Sequence, residues 1–474
     1  MSLEREFPGR PDLEPGALRQ IGHHAVDWMV DYLASLGEER RLYPGRAPED
    51  VTARFDEPLP EEGMRLNDVL QQFREMIVEE ATHLQHPGNF GYIPNSASFI
   101  GILAEALAAT LNQNVSLIRG GPSAAVVEGL VVRWLRNLIG YPDSGGGVLT
   151  SGGSLANLMA LALARECSGP GNDLVYYLSE EIHSSMLRGL RFLGVPATSI
   201  CSIGTDDSFR MKPDDLLRAI ESDRRGGRHP AVVVASSGTI GSGAVDPLEE
   251  LADICDQHGL WLHVDGAYGA LAAAAPSGAW IRRGLARAQS LSMDPHKWLF
   301  VPIDASCLLV RDPDQAVRFF TELPEYLKVS SLETKAGIPH PMQQTVELSR
   351  RFRALKLWMT IKTVGARTLR EKIEQHLTLA GELTERLERA SDYELLAPTM
   401  LSTVAFRLRG NDELDGLNQE LLERLNRRPG LFLSHSRLRG AFAIRVCITH
   451  LRTGEADIER LWTALREETR ALLR

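Results

Sequence analysis

Residues 260–270 read LWLHVDGAYGA. A short hydrophobic run delivers Asp265 at its carboxyl end, and the small residues Gly266, Ala267 and Gly269 follow. An unbroken apolar run of this length, closed by turn-forming residues, predicts a strand buried on both faces. Working outward, LEELADICDQHG (248–259) reads as a helix that stops at Gly259. LVYYL (Leu174–Leu178), AVVVAS (Ala231–Ser236) and SLSM (Ser290–Met293) read as further buried strands. Strands alternating with helices predict an α/β fold with a mainly parallel central sheet covered on both faces. Ligands of such sheets bind beyond the carboxyl ends of the strands.

This pattern spans residues 86–370 and defines the expected large α/β domain. Residues 1–85 look largely helical: in IGHHAVDWMVDYLASL, Ile21, Ala25, Trp28, Tyr32 and Leu36 recur at helical spacing. His23 and His24 fall in that helix and are read as structural. The Pro- and acid-rich stretch YPGRAPEDVTARFDEPLPEEG (43–63) reads as a linker or loop. A leading segment of this kind exposes apolar surface when left alone, so it is expected to pack on another body, a second subunit included. Residues 371–474 mix long charged helices with the strand-like runs LSTVAFRLRG and GAFAIRVCI and read as a smaller α+β domain.

The 474 residues carry a net charge of −10, which argues against a nucleic-acid or anionic-membrane partner. No stretch of about 18 uncharged apolar residues occurs, so no transmembrane helix is expected. The opening residues, MSLEREFPGRPDLEPG, lack an apolar signal core. The five cysteines (Cys167, Cys201, Cys255, Cys307, Cys447) are scattered without paired spacing, which points to reduced thiols in a cytoplasm. Neither HExxH nor CxxC occurs, and no metal is expected.

Five segments carry chemistry. In SLSMDPHKWLF (290–300), Lys297 lies between His296 and Trp298. Partial burial there makes an amine nucleophilic and able to condense with an aldehyde; the plainer reading is a lysine in a strand-to-loop turn. Asp265 suits a pyridinium N–H, or simply caps the next helix. In GVLTSGGSLANLMALALAR (147–165), two glycines, Ser154 and a helix N-terminus suit a phosphate, or form a glycine-rich turn with a serine cap. His183, in SEEIHSSMLRGLR, falls near a strand end, where an imidazole can stack on a ring or serve structure alone. Tyr326, in LPEYLKVSS, falls in a stretch without periodicity, where it can deliver a proton from a loop or anchor that loop. Phosphate cradle, histidine, aspartate and lysine follow one another along an α/β pattern, with Asp265 and Lys297 about one βαβ step apart. One cofactor accounts for all four.

On these residues the sequence resembles the group II pyridoxal-phosphate-dependent amino-acid decarboxylases, the family of aromatic-L-amino-acid decarboxylase. HPGNFGYIPNSAS (86–98), TSGGSLANLMALALAR (150–165), EIHSSMLRG, HVDGAYGA, DPHKW, RRFRALKLW (350–358) and FAIRVCITHLRTGEADIERLW (442–462) carry the resemblance over nearly the whole chain. It implies a fold type I architecture, pyridoxal 5′-phosphate as cofactor, and a homodimer with its sites at the subunit interface, wrapped by the N-terminal segment. It also implies Lys297 as the Schiff-base lysine, His183 as the ring-stacking histidine, Asp265 as the partner of the pyridine nitrogen and Tyr326 as the catalytic loop tyrosine. Gly153, Ser154 and His296 would lie near the phosphate, Thr239 near the ring or its hydroxyl, and Ala267 beneath the ring. Tyr92, Ile93, Pro94 and Leu84 would face the substrate.

Two departures stand out. Asp294 occupies a position where the animal enzymes have asparagine, and Leu84, Ile93, Asn114 and Ser116 stand where the aromatic-substrate enzymes have large or apolar pocket residues. The expected reaction is α-decarboxylation of an L-amino acid, aromatic by resemblance, to its amine and CO₂. An acidic, imidazole or diamino substrate, an aldehyde synthase and a non-catalytic scaffold on the same fold are the alternatives. In related aldehyde synthases the loop tyrosine or the stacking histidine is replaced; this chain has both.

Overall fold

The computed structural model describes residues 14–37, 41–169, 173–321, 340–410 and 414–474. Among the described residues, seven strands form the large sheet: β1 (Gly146–Thr150), β2 (Leu174–Ser179), β3 (Ile200–Ile203), β4 (His229–Ser236), β5 (Trp261–Asp265), β6 (Ser290–Met293) and β7 (Ser306–Val310). Their order is β1-β7-β6-β5-β4-β2-β3. The central pairings β3·β2, β2·β4, β4·β5 and β5·β6 are parallel. β7 pairs antiparallel with both β6 and β1. Two antiparallel steps restore direction, so the carboxyl ends of β1, β2, β4, β5 and β6 share one edge of the sheet.

Side chains in a strand alternate between faces, and the core divides accordingly. Val175, Tyr177, Val233, Ala235, Leu262 and Val264 enter the core on one face, with helix Pro122–Ile139. Leu174, Tyr176, Leu178, Val232, Val234 and Trp261 enter the core on the other, with helix Gly153–Cys167. Burial on both faces explains why these strands read as unbroken apolar runs. Helix Leu248–His258 ends as expected, with Gly259 in the left-handed region at φ +68°.

A second sheet is antiparallel, in the order β10-β11-β9-β8, from β8 (Tyr393–Leu395), β9 (Thr403–Leu408), β10 (Ser434–Leu438) and β11 (Ala441–Cys447). Helices Ala366–Arg389, Leu414–Arg427 and Glu455–Leu472 share its core. Phe90 enters this core too, and Asn89 bridges Phe432, so the chain near residue 90 is fastened to the small sheet.

Two local expectations change. The stretch read as a loop at 43–63 contains helix Pro48–Arg54, with Pro48 at its start, Glu49 and Asp50 in the first turn and Arg54 in the last. Those charges complement the helix dipole, but no residue of the helix is buried, so no hydrophobic period marks it. The polar turn after β6 is itself a helical turn, Pro295–Trp298.

Candidate active site

The loops leaving the carboxyl ends of five strands enclose one cavity of about 320 Å³. β1 contributes Gly153 and Ser154, β2 His183, β4 Thr239, β5 Asp265 and Ala267, and β6 His296 and Lys297. All eight residues expected at the cofactor therefore border the same space.

The glycine-rich turn opens helix Gly153–Cys167, whose N-cap is Gly152 and carries no side-chain cap bond. The serine-cap alternative is thus not what the turn does. The first N–H groups of a helix have no partner within it, and here they lie at the cavity with the positive end of the helix dipole. A Cβ on Gly153 would come within 3.1 Å of both Asp294 carboxylate oxygens and 3.2 Å of the Ala267 Cβ, so glycine lets this turn approach the β6 loop.

Asp265 ends β5 with both oxygens occupied. Oδ1 accepts from the Ala267 N–H (3.1 Å) and the Ser292 hydroxyl (3.3 Å), and Oδ2 accepts from Asn157 Nδ2 (3.1 Å). It caps its own turn and also borders the cavity, so the two sequence readings are compatible. His183 precedes helix Ser184–Phe192, and its Nδ1 accepts from the Ser185 N–H (3.2 Å) and lies 2.8 Å from Ser185 Oγ.

Lys297 Nζ lies 2.9 Å from Asp294 Oδ2, and His296 Nε2 lies 3.7 Å from the same oxygen. Burial alone would raise the Asp294 carboxyl, but the Lys297 ammonium and His296 outweigh it and hold the group below the usual carboxylate range. Burial likewise lowers His296, whose Nδ1 lies 2.7 Å from the Ala305 carbonyl oxygen. The buried carboxylate of Asp294 is therefore matched by a cation one turn away.

The four substrate-side candidates are placed differently. Ile93 lines the cavity, whereas Tyr92, Pro94 and Leu84 do not. Tyr92, at φ 56°, is 62% exposed and packs its ring against Phe432; Leu84 is exposed; Pro94 is buried, and its carbonyl accepts from Thr449. Tyr326 lies outside the described residues. Sequence reading missed Asn157, Ser185, Gly238 and Ile303, all at the cavity, and His263 and Ser290 beneath it. The available signal was a polar residue inside an apolar element: Asn157 in LANLMALALA and His263 in LWLHV.

Such a cavity fits a flat, phosphorylated ring bearing an aldehyde. It has unpaired helix N–H groups for a phosphate, an accepting carboxylate for a ring N–H and an amine on the next loop.

The chain is also similar to known proteins over nearly its whole length. The chain is 35% identical over 444 residues to an aromatic-L-amino-acid decarboxylase of Bacillus atrophaeus, covering 92% of each protein. It is 31% identical over 474 residues to a phenylacetaldehyde synthase of Arabidopsis thaliana, covering 96% of each. A crystal structure of Oryza sativa TDC with PLP and tryptamine superposes with a TM-score of 0.93 at 28% identity, over 98% of this chain and 100% of that one. Residues 48–409 match the pyridoxal-dependent decarboxylase conserved domain, and the chain belongs to the family of pyridoxal-phosphate-dependent amino-acid decarboxylases.

Proposed function

We propose that this decarboxylase acts on an aromatic L-amino acid and releases the amine and CO₂. The observation that carries the reading is the convergence of Lys297, Asp265, His183 and the Gly153 turn on one cavity. The aromatic preference follows the relatives, which include the Bacillus atrophaeus decarboxylase and a tyrosine decarboxylase of Petroselinum crispum.

Bound there, pyridoxal 5′-phosphate supplies a conjugated ring that accepts the electrons released when the Cα–carboxylate bond breaks. Gly153, Ser154 and His296 hold the phosphate end. Asp265 accepts the ring N–H, and its charge favours the protonated ring. Thr239 and Ala267 border the ring, and His183 offers an imidazole face to it. Lys297 presents the amine for the aldehyde carbon. Tyr326 is assigned by resemblance as the proton donor to Cα. Ile93 contacts the substrate; the exposed Tyr92 and Leu84 reach it only across a subunit boundary, and the buried Pro94 sets the path of the chain beside them.

That boundary belongs to a homodimer. Phe99, Leu103, Leu107 and Leu111 form an exposed stripe at i, i+4 spacing along helix Phe99–Leu111, and Leu18, Val26 and Val30 are exposed on helix Pro15–Ala34. Apolar rows of this kind call for a covering partner. Residues 1–85 would wrap the partner, 86–370 hold the cofactor and 371–474 close the small domain. The cysteines are all free, which suits a cytoplasmic protein, and among the described residues no helix is long and apolar enough to cross a membrane.

An aldehyde synthase is the second reading, favoured by the Arabidopsis thaliana relative. The presence of His183 and Tyr326 favours the amine. Incubation with tryptophan, tyrosine, phenylalanine, glutamate, histidine and 2,4-diaminobutyrate, with amine, aldehyde, ammonia and peroxide measured, separates the readings. Equal amine and CO₂ from an aromatic substrate are expected; aldehyde with peroxide as the main products would overturn the first reading. Borohydride reduction of the protein with pyridoxal phosphate should fix the label on Lys297, and Lys297→Ala should lose the label together with turnover.

A further inference from the structure

Beneath the cavity, buried polar side chains run in series from the sheet interior to Asp265. Trp261 Nε1 donates to Ser290 Oγ (2.9 Å), and Ser290 Oγ meets His263 Nδ1 (2.9 Å). His263 Nε2 meets Asn157 Oδ1 (3.1 Å), and Asn157 Nδ2 donates to Asp265 Oδ2 (3.1 Å). All five residues are buried, His263 and Ser290 completely. A second arm leaves the same amide: Asn157 Nδ2 lies 3.2 Å from Ser185 Oγ, which lies 2.8 Å from His183 Nδ1.

Donor and acceptor chemistry sets the direction of every link. An ionised Asp265 only accepts, so Asn157 turns Nδ2 toward it and Oδ1 toward His263. Oδ1 only accepts, so His263 Nε2 carries the hydrogen. Burial lowers His263 to about 4, against the pull of Asp265, so the ring is neutral and Nδ1 is an acceptor. The Ser290 hydroxyl therefore donates to Nδ1, while Ser290 Oγ accepts from the indole of Trp261. Every N–H and O–H in this arm points toward Asp265. In the other arm His183 Nδ1 already accepts the Ser185 backbone N–H. The Ser185 hydroxyl can then only donate to it, and Ser185 Oγ accepts the second hydrogen of Asn157 Nδ2. His183 is left with its hydrogen on Nε2.

We infer that Asn157, backed by His263, is a positioning residue of this site: one amide orients the Asp265 carboxylate at the cavity and, through Ser185 Oγ, supports the His183 tautomer that the Ser185 N–H sets. The role rests on the cofactor reading above, since it is exerted on the group that meets the ring nitrogen. A buried amide with both hydrogens and its oxygen engaged has one orientation available, so the two ends of the site are fixed together. Neither Asn157 nor His263 touches the reacting atoms through this arrangement, and both act through Asp265 and His183.

The test uses the holoenzyme loaded with pyridoxal phosphate labelled with ¹⁵N in the ring, and reads the ring-nitrogen resonance and the cofactor dissociation constant. His263→Asn places an amide where Nδ1 was and cannot reach Asn157; His263→Gln places one where Nε2 was and can. The expected result is a resonance moved toward the unprotonated value and roughly tenfold weaker cofactor binding in His263→Asn and Asn157→Ala, the scale of one hydrogen bond to a charged group. His263→Gln should stay near the unaltered protein. Ser185→Ala cuts only the second arm and should leave the ring nitrogen unmoved. Variants that unfold more easily but keep the parental resonance would overturn the inference, as would a Ser185→Ala resonance that moves with the others. Borohydride labelling of the same samples separates the two levels. A labelled Lys297 with an unmoved resonance removes the positioning role alone, and absence of label in the unaltered protein removes the cofactor reading and this role with it.

Discussion

Arg350 and Glu128 form a buried ion pair, and Lys297 and Asp294 form one at the edge of the cavity; the two are built differently. Arg350 Nη1 and Nη2 donate to the two oxygens of Glu128 (3.2 and 2.6 Å) and also to the carbonyls of Val115 (3.0 Å) and Leu149 (2.7 Å). The Leu149 N–H returns to Glu128 Oε1 (3.1 Å). That pair is closed on itself and ties β1, just before the glycine-rich turn, to helix Pro122–Ile139. Lys297 meets Asp294 through one oxygen and keeps 24% of its side chain exposed at the cavity. A two-pronged pair with backbone partners is a fastening. A one-pronged pair beside open space leaves its amine free to take another partner. The same charges thus close a joint of the scaffold in one place and leave an amine facing the cavity in the other.

The largest effect expected from this contrast is on the fastening. Arg350→Met leaves the Glu128 carboxylate buried without its cation, and losing one partner of such a pair costs about 3–5 kcal/mol. The urea midpoint should fall accordingly, and Glu128→Gln added to Arg350→Met should recover part of the loss. A drop below about 1 kcal/mol would place this pair with ordinary surface bridges and erase the distinction.

The support behind Lys297 is neutral rather than ionic, and acid should expose this. Trp298, next to Lys297, donates its indole N–H to His376 Nδ1 (2.9 Å). Burial lowers His376 to about 3, and burial lowers His450 to about 3 as well. The folded state therefore refuses protons that the unfolded chain accepts near 6.5, so stability declines as the pH falls below about 6.5. By pH 5 each histidine should cost on the order of 1–2 kcal/mol. Asparagine at 376 keeps an acceptor for Trp298 and cannot titrate, so His376→Asn should flatten part of the slope of melting temperature between pH 7 and 5. An unchanged slope would remove His376 from the account.

The same contrast between closed and open regions explains what the sequence could tell. Strands β2, β4, β5 and β6 were legible because burial on both faces makes them continuous apolar runs, and the cofactor candidates were legible because they fall just after those runs. β7 was not marked: SCLLV resembles its neighbours, and nothing in its composition says that it runs antiparallel between β1 and β6. Asn157 and His263 were hidden by the elements that bury them, since a single polar residue in an apolar helix or strand reads as structural until its partners are known. Tyr92 and Leu84 failed at the cavity for the opposite reason. Local sequence shows that they are large, but not that a left-handed residue and an exposed turn aim them outward.

The smallest effect concerns the open pair and depends on sign. Asp294 is held low by Lys297 and His296 against burial, so its folded value lies below its unfolded one, and in the unaltered protein its contribution is present above about pH 4 and lost as acid protonates it. Lys297→Ala removes the main counterion while the burial stays. The carboxyl should then move above its unfolded value, the folded state should bind more protons than the unfolded chain, and stability should decrease as the pH rises through the raised value. Between pH 5 and 7 the apoprotein of Lys297→Ala should therefore lose on the order of 1 kcal/mol relative to the unaltered apoprotein. Asp294→Asn placed in the Lys297→Ala background has no charge to bury and should abolish that difference. Urea unfolding of the three proteins at both pH values checks it. A double variant that keeps the slope of Lys297→Ala would mean that another group titrates, and that the open pair is not held by the balance of burial and charge described here.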